Sequence, residues 1–141
     1  MPNESYAGDI SAREAWELLS REPEAVLVDI RSRAEWSFVG VPDLSELGKA
    51  TAFVEWQSFP GMVPNEGFAE EMRETEVSPD RTVVFICRSG QRSMHAAVAM
   101  TKRGFARCFN LAGGFEGPLD NDGHRGRLDG WKVAGLPWKQ E

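Results

Sequence analysis

The stretch that most restricts what this chain can become is Val83-Val84-Phe85-Ile86-Cys87-Arg88-Ser89-Gly90-Gln91-Arg92-Ser93. A continuous apolar run of this length suits a strand buried on both faces. It delivers one cysteine to its carboxyl end. A polar turn with a glycine and two arginines follows, and Met94-His95-Ala96-Ala97-Val98-Ala99-Met100 reads as a helix. A strand, a tight loop and a helix start therefore converge on one thiol.

That convergence has chemical consequences. The first N–H groups of a helix lack partners within it, and the helix dipole places partial positive charge there. Arg88 and Arg92 add full charges. Together these favour thiolate over thiol, so Cys87 is expected to ionise below the roughly 8.5 of a free cysteine. The same donors suit an anionic substrate or a charged intermediate. Gly90 allows a turn that a Cβ would obstruct. Ser89 and Ser93 offer hydroxyls to the pocket or to the helix cap. A cysteine after an apolar run is more often a small buried hydrophobe. The two guanidinium groups and the glycine argue for a reactive one.

The rest of the chain reads as alternating helices and strands. Ser11-Ala12-Arg13-Glu14 is a capping box opening a helix through Ser20, with Ala15, Leu18 and Leu19 on one face. Ala25 to Ile30 is a buried strand ending in Asp29-Ile30-Arg31. Ser32-Arg33-Ala34-Glu35 is a second capping box, starting a short helix through Trp36. Ala50 to Trp56 reads as a strand and Gln57 to Asn65 as a loop, with Trp56 and Phe59 as core or loop anchors or as parts of a pocket mouth. Glu66 to Glu74 is expected to be helical with Phe68, Ala69 and Met72 inward. The helix after the cysteine loop is expected to run to about Arg103, with Gly104 as its cap. Cys108-Phe109-Asn110-Leu111 is a further short strand. Cys108 stands without an arginine loop or an adjacent base and reads as packing, with a resolving thiol as the alternative. The order implies an α/β sandwich with a mostly parallel sheet.

Cys87-Arg88-Ser89-Gly90-Gln91-Arg92-Ser93 resembles the active-site loop of the rhodanese sulfurtransferases. Val28-Asp29-Ile30-Arg31 with Glu35-Trp36, Ala112-Gly113-Gly114-Phe115, and the ending Gly130-Trp131 through Gly135-Leu136-Pro137 resemble other segments of that family. The Gly-Gly pair resembles the family's turn into a last helix. Two stretches depart from the pattern. Val39-Gly40-Val41-Pro42-Asp43-Leu44 keeps a proline but has no histidine beside it. Residues 118–130 stand as an extra glycine-rich, charged loop. That loop reads either as a solvated surface insertion or as a lid bringing His124, Arg125 or Arg127 towards Cys87.

The resemblance implies a rhodanese-like three-layer sandwich spanning residues 1–141 as one domain. It implies a sulfurtransferase that moves a sulfane sulfur from a thiosulfate-like or persulfide donor to a thiol or cyanide acceptor through a persulfide. Cys87 resembles the sulfur-accepting nucleophile, and Arg88, Ser89, Gly90, Gln91, Arg92 and Ser93 the cradle. Asp29 and Arg31 stand as supporting residues, fixing loops or lying near the pocket. No cofactor or metal is implied. Two other classes stay open. One is a sulfur-relay or regulatory module serving a protein partner. The other is a cysteine phosphatase or arsenate reductase, which the four residues between Cys87 and Arg92 disfavour because phosphatases use a longer loop.

Composition sets outer bounds. The 141 residues suffice for one domain with a core. A formal charge of −6, spread along the chain, argues against nucleic-acid binding as the main task. Two cysteines make no disulfide framework, and neither has metal-ligand spacing with His95 or His124. No apolar segment is long enough to span a membrane, and the polar start carries no signal peptide, so a reducing cytoplasm is the expected location.

Overall fold

The computed structural model describes residues 6–58, 63–75 and 77–140. In chain order it contains β1 (Gly8–Ile10), α1 (Ala12–Arg21), β2 (Val26–Asp29), α2 (Arg33–Val39), β3 (Val41–Pro42), a 3-10 turn (Ser45–Leu47), β4 (Ala52–Phe53), β5 (Gln57–Ser58), β6 (Val63–Pro64), α3 (Phe68–Glu74), β7 (Thr82–Ile86), α4 (Gln91–Lys102), β8 (Arg107–Leu111) and β9 (Trp138–Lys139). Five strands form one parallel sheet in the order β1-β8-β7-β2-β4. Helices cover both faces, as the α/β sandwich expected from the sequence requires.

β7 lies at the centre and all five of its residues are buried. The two-residue period of a strand divides its side chains between two cores. Val83 and Phe85 enter the cluster that includes Phe68 and Met72 of α3 and Ala96, Ala97 and Met100 of α4; Cys87, just past the strand, follows on the same side. Val84 and Ile86 enter the opposite cluster with Ala15, Leu18 and Leu19 of α1, and with Phe115 and Trp131. The parity of the strand therefore turns Cys87 towards the start of α4.

Both capping boxes form. Ser11 accepts the Glu14 N–H at 3.1 Å while Glu14 takes the Ser11 N–H at 2.8 Å. Ser32 and Glu35 make the same exchange at α2. Other expectations are corrected. β1 gives no signal in the sequence, because a three-residue strand is too short to show a period. The strand over 50–56 contributes only Ala52–Phe53 to the sheet, and α2 continues past Trp36 to Val39. Ala69 is half-buried, while Phe68 and Met72 are buried as expected. Trp56 packs edge-on against Phe68 with ring centres 4.9 Å apart. Phe59 lies outside the described residues.

The Gly-Gly segment leads into turns, not into a last helix. Gly114 and Gly117 adopt φ of 66° and 81°, which a right-handed helix cannot contain. The tail nevertheless joins the core. Trp131 is fully buried and donates its indole N–H to the Pro137 carbonyl at 2.7 Å, and β9 pairs antiparallel with β3. Among the described residues no helix is long and apolar enough to cross a membrane.

Candidate active site

The loop after β7 places the Cys87 sulfur where a helix-capping side chain usually sits. Gly90 is the N-cap of α4 and has no side chain to serve that role. Instead the Gly90 N–H reaches Sγ at 3.1 Å and the Ser93 N–H reaches it at 3.3 Å. Two unpaired N–H groups of a helix start thus point at one sulfur. The turn demands glycine at position 90, whose φ is 107°. A Cβ there would lie 2.2 Å from the Ala112 carbonyl oxygen. Cys87 itself is only 1% exposed. Burial and converging amides thus occur together.

Behind the sulfur runs a chain of polar groups in which Ser93 is the one member expected from the sequence. The Ser93 hydroxyl lies 3.2 Å from Sγ and 2.5 Å from Asn110 Oδ1. Asn110 Nδ2 donates to Asp9 at 3.0 Å, and the Tyr6 hydroxyl donates to the same carboxylate at 2.7 Å. The bond to Asp9, with some burial, pushes the Tyr6 phenol up to about 12. Asp9 fixes which end of the Asn110 amide faces Ser93. A serine hydroxyl has one proton. While that proton is given to Asn110, Ser93 Oγ can receive the Cys87 S–H. When the sulfur is anionic, the same hydroxyl can turn and donate to it. The signal in the sequence was a single asparagine inside a short apolar strand, since a buried amide requires partners.

The two arginines of the loop have different tasks. Arg92 makes a two-pronged pair with Glu35, at 2.8 Å and 3.0 Å, so its fork is held by α2. Burial works to raise the Glu35 carboxyl. The Arg92 fork and the Ser32 donors prevail and hold it down to about 2. Arg88 is exposed, and its contribution to the loop is its carbonyl, which accepts the Glu116 and Gly117 N–H groups at 3.0 Å and 3.1 Å. Ser89 is half-buried and Gln91 is exposed at the start of α4.

The turn after β8 forms the floor of the loop. The Phe115 N–H donates to the Cys87 carbonyl at 2.8 Å. A Cβ on Gly114 would stand 2.4 Å from the Arg88 carbonyl oxygen. Asp29 and Arg31 lie under this turn, on the sheet face opposite the sulfur. Both are fully buried, with Arg31 bonding Asp29 at 2.7 Å and the Gly40 carbonyl at 2.7 Å. The guanidinium carbon stands 4.3 Å from the centre of the Phe115 ring. The pair touches the loop through Phe115 and does not face Sγ. Cys108 is buried on β8 beside apolar neighbours, and burial pushes its thiol up to about 11 despite a bond from Thr101. Among the described residues no group of three or more His, Cys, Asp or Glu side chains is arranged to hold a metal ion.

A cavity of about 640 Å³ opens beside the loop, between α2 and the 118–130 segment. Arg88 and Arg92 line it from the loop, Phe38 and Val39 from α2, and Arg125 from the segment. His124 and Arg127 do not line it. They are exposed, with His124 Nδ1 3.4 Å from Arg127 Nη2.

A buried cysteine held by helix-start amides at the carboxyl end of a parallel sheet defines a class of thiol-dependent proteins. Comparison with known proteins narrows it. Residues 7–141 match the family described as the STR4 middle domain. A sulfurtransferase of Allochromatium vinosum is 32% identical over 114 residues, covering 81% of this chain and 85% of its own. The thiosulfate sulfurtransferase GlpE of Actinobacillus pleuropneumoniae serotype 3 is 28% identical over 129 residues, covering 92% and 90%. The crystal structure of Rv0390 from M. tuberculosis superposes with a TM-score of 0.89 at 51% identity, covering 97% of this chain and all of that one. The chain belongs to the rhodanese-like sulfurtransferase family.

Proposed function

We propose that this protein transfers a sulfane sulfur through a persulfide on Cys87, with thiosulfate or another persulfide as donor and a thiol or cyanide as acceptor. The observation that carries the reading is the pair of helix-start N–H groups, from Gly90 and Ser93, meeting at Sγ. A thiolate accepts such bonds far better than a thiol, because charge-assisted hydrogen bonds are about twice as strong as neutral ones. The site is therefore built for a sulfur anion.

The first step forms one S–S bond and breaks another. The Cys87 thiolate attacks the outer sulfur of thiosulfate, and sulfite leaves with the electron pair of the broken bond. In the second step an acceptor thiolate or cyanide attacks the outer sulfur of the persulfide. Cys87 leaves as a thiolate and the acceptor carries the sulfur away. The loop of Arg88, Ser89, Gly90, Gln91, Arg92 and Ser93 supplies the cradle. Gly90 and Ser93 stabilise the anion through their N–H groups, Ser93 adds its hydroxyl, and Arg88 supplies charge at the mouth. Asp29 and Arg31 support the loop from below through Phe115.

Steady-state formation of thiocyanate from thiosulfate and cyanide tests the reading. Wild-type protein turns over, and Cys87→Ser lowers the rate at least about 1,000-fold, the scale expected when a covalent nucleophile is lost. Equal turnover in the two proteins would remove Cys87 from the chemistry.

A further inference from the structure

The 118–130 segment is fastened down at several points. Its Asp120 carboxylate accepts the Asp122 and His124 N–H groups, both at 2.9 Å, and pairs with Arg127 at 3.4 Å. The Gly126 N–H donates to the Glu116 carbonyl at 2.7 Å. At the far end, a Cβ on Gly117 would lie 2.1 Å from the Asp129 carbonyl oxygen, so the two backbones touch. Residues 121–129 are all exposed except Arg125. Arg125 turns inward, donates one N–H to the Gly117 carbonyl at 2.9 Å, and lines the cavity together with Phe38.

The charges in that cavity are unequally matched. Arg92 is satisfied by Glu35. Among the described residues neither Arg88 nor Arg125 forms a salt bridge with a carboxylate. Glu116 also lines the cavity and offsets one of these charges, which leaves the lining with a net positive charge. The α2 part of the lining presents Phe38, 81% exposed, with Ala34 and Val39. The volume of about 640 Å³ is that of a site for an organic ligand, typically about 300–1,000 Å³. An inorganic donor occupies a small part of it.

Resting on the sulfurtransferase reading, we infer that this cavity binds the sulfur acceptor and selects an organic thiol with a carboxylate on an apolar body, Arg125 being the residue that sets this specificity. The carboxylate lies between Arg88 and Arg125, and the apolar body against Phe38. The acceptor thiol loses its proton to water. Its thiolate attacks the outer sulfur of the Cys87 persulfide, the Cys87–sulfur bond breaks, and the acceptor leaves as a persulfide with the Cys87 thiolate restored.

The test loads full-length protein with thiosulfate, removes the donor, and follows sulfur transfer to 2-mercaptoethanol, 3-mercaptopropionate and 8-mercaptooctanoate. In wild type, kcat/KM is expected to rise in that order. The ratio of kcat/KM for 3-mercaptopropionate over 2-mercaptoethanol falls about tenfold in Arg125→Ala, through KM, as for one lost charge-assisted contact. Arg125→Lys restores most of the ratio. Phe38→Ala lowers the ratio for 8-mercaptooctanoate over 3-mercaptopropionate. Equal losses for neutral and charged thiols in Arg125→Ala, or no loss, overturn the inference while leaving the sulfurtransferase reading intact. Failure of wild-type protein to take up sulfur overturns both.

Discussion

Cys87 and Cys108 lie at neighbouring parallel strands, on the same face of the sheet, and both are shut away from water. Their surroundings differ in one respect. Cys87 stands one residue past β7, where the chain turns and two backbone N–H groups reach its sulfur. Cys108 sits inside β8, where backbone groups are committed to the sheet and the side chain meets apolar neighbours. Burial alone penalises the thiolate and pushes Cys108 up to about 11. At Cys87 the same burial comes with donors aimed at the charge. Position at a strand end, more than exposure, separates a site from a core residue here.

Paired substitutions, one in the Cys87 loop and one at Cys108, give the largest contrast. Gly90→Ala forces a Cβ to within 2.2 Å of a carbonyl oxygen and a side chain into a left-handed φ. Strain of this kind costs about 1–3 kcal/mol. Displacing the loop amides is expected to lower sulfur loading by about 100-fold. Cys108→Ala removes one buried sulfur atom, is expected to cost about 1 kcal/mol, and leaves loading within about twofold. Urea unfolding together with single-turnover loading measures both. Comparable loss of loading in the two variants would break the contrast.

A smaller effect concerns acid stability. Glu35 ionises at about 2 in the folded protein against an ordinary value of 4.5. Its folded value is depressed, so the stability it contributes is present above 4.5 and is lost as pH falls from there towards about 2. The shift alone corresponds to about 3 kcal/mol, which partial exposure to solvent screens to on the order of 2 kcal/mol. Glu35→Gln is expected to lower stability by about that amount at neutral pH and to flatten the acid limb of the stability curve. An unchanged acid limb would mean that the Arg92–Glu35 pair does not hold α2 against the loop.

Much of the scaffold around Cys87 was legible in the residues. The capping boxes at Ser11 and Ser32, the buried run before Cys87 and the glycine at position 90 are local signals, and the forces behind them act within a few residues. What was not legible depends on long-range contact. Glu35 was read as a capping residue. That it also holds Arg92, 57 residues away, follows only from how α2 meets the loop. Asn110 and Asp9 join the sulfur's surroundings through pairing of β8 with β7 and β1. The expected final helix failed because glycines at 113, 114 and 117 serve close backbone approach instead. Of the three residues offered for a lid, the fold turns Arg125 to the cavity and leaves His124 and Arg127 outside it.

The most direct measurement is peptide-mapped mass spectrometry of protein exposed to thiosulfate and then freed of it under non-reducing conditions. One additional sulfur atom is expected, carried by the peptide containing Cys87, with Cys108 unmodified. No added sulfur, or an added sulfur on Cys108, would contradict it.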